Sequence, residues 1–310
     1  MKEKRDVASP KTTCGIIAKT AFELARSVGI SRLVVQADVF HDIYRIEALR
    51  QSESIVWITR NGDEIAAVQR RNDIVVRIPP TALSRMNQLH IALFLAVLND
   101  GLKPDETVLC LTGATGVGHL DMLLITTPAR YLPRFHKHRH PFLATRDLAR
   151  ILEIALRFAV EGREGAPIGT LFVLGEPEGL RPYLRQLVLN PCEGHPRERR
   201  SIHDPEMLET LREYSAMDGA FVVSRGGTVE SAATYLDAPI VEARIRSGLG
   251  ARHAAAVGIT EATDAVAVAL SSSSGMVSVF QEGEPILELE RPFRDLKRVL
   301  KPTGALPTTR

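Results

Sequence analysis

Short apolar runs alternate with helical stretches along most of this 310-residue chain, and that alternation restricts its fold more than any other feature. Leu33-Val34-Val35, Ile55-Val56-Trp57-Ile58, Ile74 to Ile78, Val108 to Leu111 and Met122 to Ile125 each read as a short buried strand. Between them, apolar residues recur at helical spacing. Ile16, Ile17, Ala21, Leu24, Ala25 and Val28 mark a helix over 12–28, and further helices are expected over 39–51 and 83–98. Gly29 and Gly101 read as helix stops, and Asn61-Gly62 and Pro79-Pro80 as the ends of strands. Strands joined through helices imply a largely parallel sheet. The expectation is an α/β domain over residues 10–128, built as a parallel sheet in three layers.

The pattern breaks after Pro128. Pro133 and Pro141 interrupt regular structure, and Arg130, Arg134, His136, Lys137, His138, Arg139 and His140 crowd a short basic stretch. Residues 129–147 read as a solvated linker rather than a nucleic-acid or metal site. A second domain is expected over 148–300, followed by a frayed Pro/Thr-rich tail over 301–310. It opens on an amphipathic helix from Leu148 to Val160. A glycine-bounded strand over 169–175 follows, and then a Pro/Arg-rich loop over 179–198. A helix over 204–216 has Asp204 as its N-cap and Pro205 at the first helical position. Ala220 to Ser224 is a strand running into the Arg225-Gly226-Gly227 turn. A helix starts at Arg252, a hairpin joins 265–270 to 276–280 around Ser271 to Gly275, and a last strand spans 283–289.

Composition excludes several classes of function. Hydrophobic content of 45% and charged content of 25% are those of a water-soluble globular protein. A net charge of +2 provides no general field for polyanions. No apolar run approaches the roughly 18 residues of a membrane span, and Met1 to Lys11 is charged, without the apolar segment of a secretion signal. Cys14, Cys110 and Cys192 are far apart and make no metal-ligand spacing, so a reduced cytoplasmic setting is expected.

Two strings carry chemistry. In Asp218-Gly219-Ala220 a carboxylate at the mouth of a strand precedes two residues with almost no side chain. A ligand can press against the backbone there while the carboxylate reaches a hydroxyl or a metal ion. Gly248-Leu249-Gly250-Ala251-Arg252-His253 is a glycine-punctuated loop opening a helix. Its backbone N–H groups suit an anion, Arg252 can fork onto phosphate oxygens, and His253 can bind a metal or donate to phosphate. Taken singly, the first string also reads as an Asp in a helix-ending turn, and the second as a Gly-capped helix with a solvated Arg-His pair.

Together, inside an α/β pattern, the strings resemble the two signature motifs of the diadenylate cyclase domain, which the DNA-integrity scanning protein shares with the membrane-bound cyclases. Met217-Asp218-Gly219-Ala220-Phe221-Val222-Val223 matches the first motif and Gly250-Ala251-Arg252-His253 the second. Ser231 to Leu236 resembles the family segment that holds the adenine, and Ala255 to Asp264 and the Ser271-to-Gly275 hairpin also follow the pattern. The second motif usually reads Thr-Arg-His-Arg, whereas this chain has Ala251 and Ala254. Some relatives carry carboxylates where it has Ser272 and Ser273.

The resemblance implies an α/β domain with a mixed central sheet that condenses two ATP molecules into cyclic di-AMP and two pyrophosphates. It further implies a homo-oligomer in which two such domains face each other. On it rest the roles expected of individual residues. Asp218 orients and deprotonates the attacking 3′-hydroxyl, and Arg252 and His253 hold the triphosphate. Asp218 and His253 are the candidate ligands for Mg²⁺ or Mn²⁺. Gly219, Ala220, Gly250 and Ala251 approach the ATP, Tyr235 and Leu236 line the adenine pocket, and Ser271 contacts phosphate. The alternative is a catalytically weakened module that senses ATP or cyclic di-AMP. In the first domain, Leu109-Cys110-Leu111-Thr112-Gly113 with Gly116 and Gly118, and Val56 to Gly62, resemble strand-loop units of the pyruvate kinase C-terminal domain. That resemblance would let Thr112, Thr115 and His119 hold an effector phosphate. A purely structural turn is the other reading.

Overall fold

The computed structural model describes residues 10–39, 54–60, 65–66, 69–80, 83–113, 120–132, 142–143, 146–164, 166, 168–239 and 250–292. The chain divides into two compact units between Arg130 and Tyr131. Outside the described residues lie most of the helix expected over 39–51, the Asn61-Gly62 turn, Thr115, Gly116, Gly118 and His119. So do the basic residues from Arg134 to His140, Gly248, Leu249 and the tail.

The N-terminal unit holds β1 (Arg32–Gln36), β2 (Ser54–Thr59), β3 (Ile74–Arg77), β4 (Val108–Thr112) and β5 (Met122–Thr126), in the order β3-β2-β1-β4-β5. The first four strands run parallel, and β5 pairs antiparallel with β4. Helix α1 (Pro10–Ser27) lays Ala18, Phe22 and Ala25 on Leu33, Val35, Trp57, Leu109 and Leu111. Side chains alternate across a strand, so Gln36, next to Val35, points to the other face. There it donates to Gln88 of α2 (Arg85–Leu98) at 2.7 Å. Helices thus cover both faces, the three layers expected.

The end of α2 differs from expectation. Its C-cap is Asn99, and the residue in the left-handed region is Asp100, at φ 58°. Gly101 is needed for space instead: a Cβ there would sit 2.7 Å from Ile74 Cδ1 and 3.0 Å from the Ala96 carbonyl oxygen.

The C-terminal unit is built on a mixed sheet of β6 (Thr170–Leu174), β7 (Leu184–Gln186), β8 (Ala220–Val223), β9 (Val229–Leu236), β10 (Val266–Leu270), β11 (Val277–Gln281) and β12 (Glu284–Leu289). Their order is β12-β11-β10-β6-β8-β9-β7. β6 and β8 are parallel neighbours and the other pairs are antiparallel. Two amphipathic helices cover the sheet. The first, α3 (Arg146–Glu161), buries Leu148, Ile151, Leu152, Ala155 and Phe158 and crosses β6, β10 and β11. Shorter helices α4 (Pro177–Leu180) and α5 (Met207–Tyr214) come next in the chain. On the other side α6 (Ala251–Ala262) packs Ala256, Val257 and Ile259 on Leu171, Val173, Val222, Ala267 and Phe280. The small residues before Val257 bring the first turn of α6 close to the mouths of β6 and β8.

Two expectations change here. The stretch read as a loop over 179–198 begins with the end of α4 and contains the edge strand β7, which pairs with β9. A three-residue strand is too short to show period-2 alternation. The helix expected from Asp204 starts at Met207. The Asp204 carboxylate accepts from the Glu206 N–H at 2.9 Å, closing an Asx turn ahead of the helix instead of capping it.

One polar clip ties the N-terminus of α3 to the turn after β8. Asp147, 7% exposed, accepts from the Gly226 N–H at 2.9 Å and lies 2.8 Å from His203 Nε2. Gly226 and Gly227 hold φ of 86° and 80°, which the turn requires. Truncating the carboxylate removes the charged acceptor shared by the Gly226 N–H and the His203 ring. Asp147→Ala should therefore lower the unfolding free energy of the C-terminal unit by about 2–3 kcal/mol in a urea titration.

Candidate active site

The site begins with a backbone constraint. Gly219, at the entrance to β8, has φ 107°, and a Cβ there would lie 2.6 Å from Thr234 N and 2.7 Å from Ala233 C. No residue but glycine fits. Opposite it, β9 bulges: Ala220 pairs with Thr234 and Val222 with Ser231, so β9 spends one extra residue over that interval. Ala233 takes the strain, at φ 52°, where a side chain is disfavoured. Between them, glycine and bulge leave Asp218 exposed at the strand mouth and re-aim Thr234, Tyr235 and Leu236.

These residues line a cavity of about 450 Å³. Asp218, Gly219 and Ala220 form one side, Thr234, Tyr235 and Leu236 another, and Ala251 and Arg252 a third. Leu171, Leu187 and Ala255 complete the wall. Tyr235 is 50% exposed, leaving a ring face to receive a flat group. Among the described residues, neither the Asp218 carboxylate nor the Arg252 guanidinium has a hydrogen-bond or ion-pair partner. A carboxylate and an arginine that share a cavity without pairing are both left for a ligand.

Arg252 is placed by two features. It lies in the first turn of α6, whose N-cap, Gly250, is extended (φ −73°, ψ 173°) and makes no side-chain capping bond. The His253 N–H donates to the Gly250 carbonyl at 2.9 Å, while those of Ala251 and Arg252 stay available to an anion. Gly169 makes room for the side chain, since a Cβ there would be 2.8 Å from Arg252 Nη1.

The structure brings together Asp218, Gly219, Ala220, Tyr235, Leu236, Ala251 and Arg252. Gly250 borders the site as the helix cap. His253 and Ser271 are not among the residues that line the cavity. His253 is 3% exposed, with its ring edge-on to Phe280 at 5.8 Å between centroids. Its Nε2 is buried without a hydrogen-bond partner, and burial pushes its pKa below the ordinary value, with Glu288 acting weakly against this. At helical spacing a residue next to a cavity-facing arginine turns by about 100°, and here that turn carries it into the sheet. The Ser271 hydroxyl lies 3.1 Å from Ser273 Oγ and accepts from the Ser274 N–H at 3.3 Å, which organises the β10–β11 turn. Among the described residues, no group of three or more His, Cys, Asp or Glu side chains is placed to hold a metal ion. Leu171, Leu187, Thr234 and Ala255 line the cavity although the sequence does not single them out as site residues. The Thr234 signal was present in the segment from Ser231 to Leu236, whereas Leu187 sat in the stretch read as loop.

Residues 157–285 match the DAC family, described as DisA bacterial checkpoint controller nucleotide-binding. A diadenylate cyclase of Methanocaldococcus jannaschii is 39% identical over 145 residues, which are 47% of this chain and 46% of that protein. A diadenylate cyclase of Haloferax volcanii is 38% identical over 140 residues, 45% of this chain and 51% of that one. The chain thus spans about half the length of the curated relatives it matches. Among solved structures, DacA from Staphylococcus aureus is 28% identical, covers 44% of this chain and 81% of that chain, and superposes with a TM-score of 0.33. The DAC match contains both strings, the bulged β9 and the hairpin turn. Among the described residues, no helix is long and apolar enough to cross a membrane.

Two outcomes follow from this geometry. Gly219→Ala forces a Cβ into the β9 backbone at a positive φ, and should destabilise the unit by about 2–3 kcal/mol in urea. The buried His253 gives a pH dependence. Its folded pKa lies below that of the unfolded chain, so the unfolded state binds more protons through the window between them. Its contribution to stability is complete above about pH 6.5 and is lost as pH falls toward the folded value. Melting temperatures measured across pH 5–8 should fall on the acid side, and His253→Phe should flatten that slope.

Proposed function

We propose that this protein is a diadenylate cyclase that joins two ATP molecules into cyclic di-AMP with release of two pyrophosphates. The observation that carries the reading is the pairing of an unpartnered carboxylate, Asp218, with an unpartnered guanidinium, Arg252, across a cavity that also presents Tyr235. The DAC match over residues 157–285 and the printed names of the relatives support it.

Chemistry of this kind depends on positioning and charge neutralisation. The adenine lies against Tyr235 and Leu236. The triphosphate meets the first-turn N–H groups of α6 and the fork of Arg252, which stabilise charge developing on pyrophosphate. Gly219 and Ala220 let the sugar approach the backbone, and Asp218 orients a 3′-hydroxyl and accepts its proton. A cavity of about 450 Å³ suits one nucleotide. The second ATP is therefore carried by a second copy facing the first, so that the hydroxyl of one nucleotide attacks the α-phosphorus of the other.

A divalent cation such as Mg²⁺ or Mn²⁺ fits this donor set, because such ions are commonly held by one or two carboxylates and the phosphates of the substrate. Asp218 would hold it, and it would supply charge neutralisation on the phosphates. In the proposal His253 packs beneath Arg252 and Ser271 shapes the hairpin turn, rather than touching the metal or phosphate. The N-terminal unit, with its parallel sheet, fits a non-catalytic companion domain of the pyruvate kinase C-terminal type.

The test is chromatography of products after incubation with ATP and Mg²⁺ or Mn²⁺ over a range of protein concentrations. Cyclic di-AMP should form, with specific activity rising as the protein is concentrated. Asp218→Asn should reduce the rate by about 10²–10⁴-fold, and Arg252→Lys, which keeps charge but loses the fork, by about 10²-fold. Tight ATP binding without product at any concentration would contradict the enzyme reading.

A further inference from the structure

The bulge in β9 frees backbone carbonyls beside the cavity, and one side chain from the neighbouring strand collects them. Gln186, the last residue of β7, donates from Nε2 to the Ala232 carbonyl at 2.5 Å and approaches the Ala233 carbonyl at 3.5 Å. Its Oε1 lies 3.3 Å from Thr234 Oγ1, which also bonds Ser231 Oγ at 2.7 Å. The next backbone N–H, that of Leu187, donates to the Ala233 carbonyl at 3.2 Å. Every atom of the Gln186 amide is thus committed to the strained turn of β9, whose following residues line the cavity together with Leu187.

From this geometry we propose that Gln186 is a positioning residue for the nucleotide: it holds Ala233 in its left-handed conformation, and thereby sets Thr234, Tyr235 and Leu236 against Gly219. A non-glycine residue at φ 52° persists only where its surroundings over-determine it. Here the determinants are the Gln186 amide and the Leu187 N–H on one side and the Gly219 backbone on the other. Gln186 reaches the cavity only through Thr234 and touches neither of the two free charged groups, so its effect falls on binding of the base rather than on the chemical step. The proposal rests on the ATP reading of the cavity and identifies what fixes its base-binding wall.

The experiment measures KM and kcat for ATP, and the Kd of a non-hydrolysable ATP analogue, in wild type, Gln186→Leu and the double variant Gln186→Leu/Ala233→Gly. Position 186 is exposed on an edge strand, so truncation there is compatible with folding, which a thermal melt checks. Gln186→Leu should raise KM and Kd about tenfold while kcat stays within about threefold. Glycine accepts the positive φ without strain, so adding Ala233→Gly should restore KM and Kd to within about threefold of wild type. Unchanged KM and Kd in Gln186→Leu overturn the positioning role while leaving the ATP reading intact. So does a double variant as impaired as the single one. A wild-type protein that binds no ATP analogue overturns both.

Discussion

The contact on which the C-terminal unit depends is the one between the Gly219 backbone and β9 at Ala233 and Thr234. It is closer than any side chain permits. It ties β8 to a bulged partner, and the bulge turns the end of β9 so that Tyr235 is half-exposed at the cavity rather than packed in the sheet. Asp218 is held at the strand mouth by the same contact, since the residue after it cannot move. Strain at Ala233 is thus stored beside the free charges, where a binding site benefits from it, and is offset by the buried packing of α6 and α3 on the two faces of the sheet.

Arg252 arrives from the opposite direction by a different device. An apolar face on α6 fixes the helix against β6, β10 and β11. Gly169 beneath its first turn clears space for the guanidinium. A sheet mouth and a helix start, built independently, converge on one cavity with opposite charges that do not neutralise each other. The apolar wall from Leu171, Leu187 and Leu236 gives the cavity an end suited to a base, and the charged side an end suited to phosphate.

Much of this was legible in the residues. Apolar periodicity placed most of the described strands and helices, because buried strands of five residues and helices of twelve or more leave strong patterns. The Asp-Gly-Ala and Gly-Ala-Arg strings mark the two sides of the cavity: the first because glycine is required where Gly219 meets the β9 backbone, the second because it sets an arginine at a helix start. Three features were not legible. The strand β7 is too short for a pattern, so Leu187 and Gln186 were hidden in a presumed loop. Adjacent residues on a helix point about 100° apart, so Arg252 and His253, neighbours in one motif, part company: one faces the cavity and the other lies beneath α6 against Phe280. The sequence marks Gly101 as a helix stop, but the left-handed residue is Asp100, and only the packing of Ile74 shows why glycine follows.

The most direct test of this account is a crystal structure with a non-hydrolysable ATP analogue bound. The account places the adenine against Tyr235 and Leu236, and the phosphates at the Arg252 guanidinium and the first turn of α6, with the ribose beside Asp218. A nucleotide bound outside this cavity, or one whose phosphates reach His253 while Arg252 stays unengaged, would contradict it.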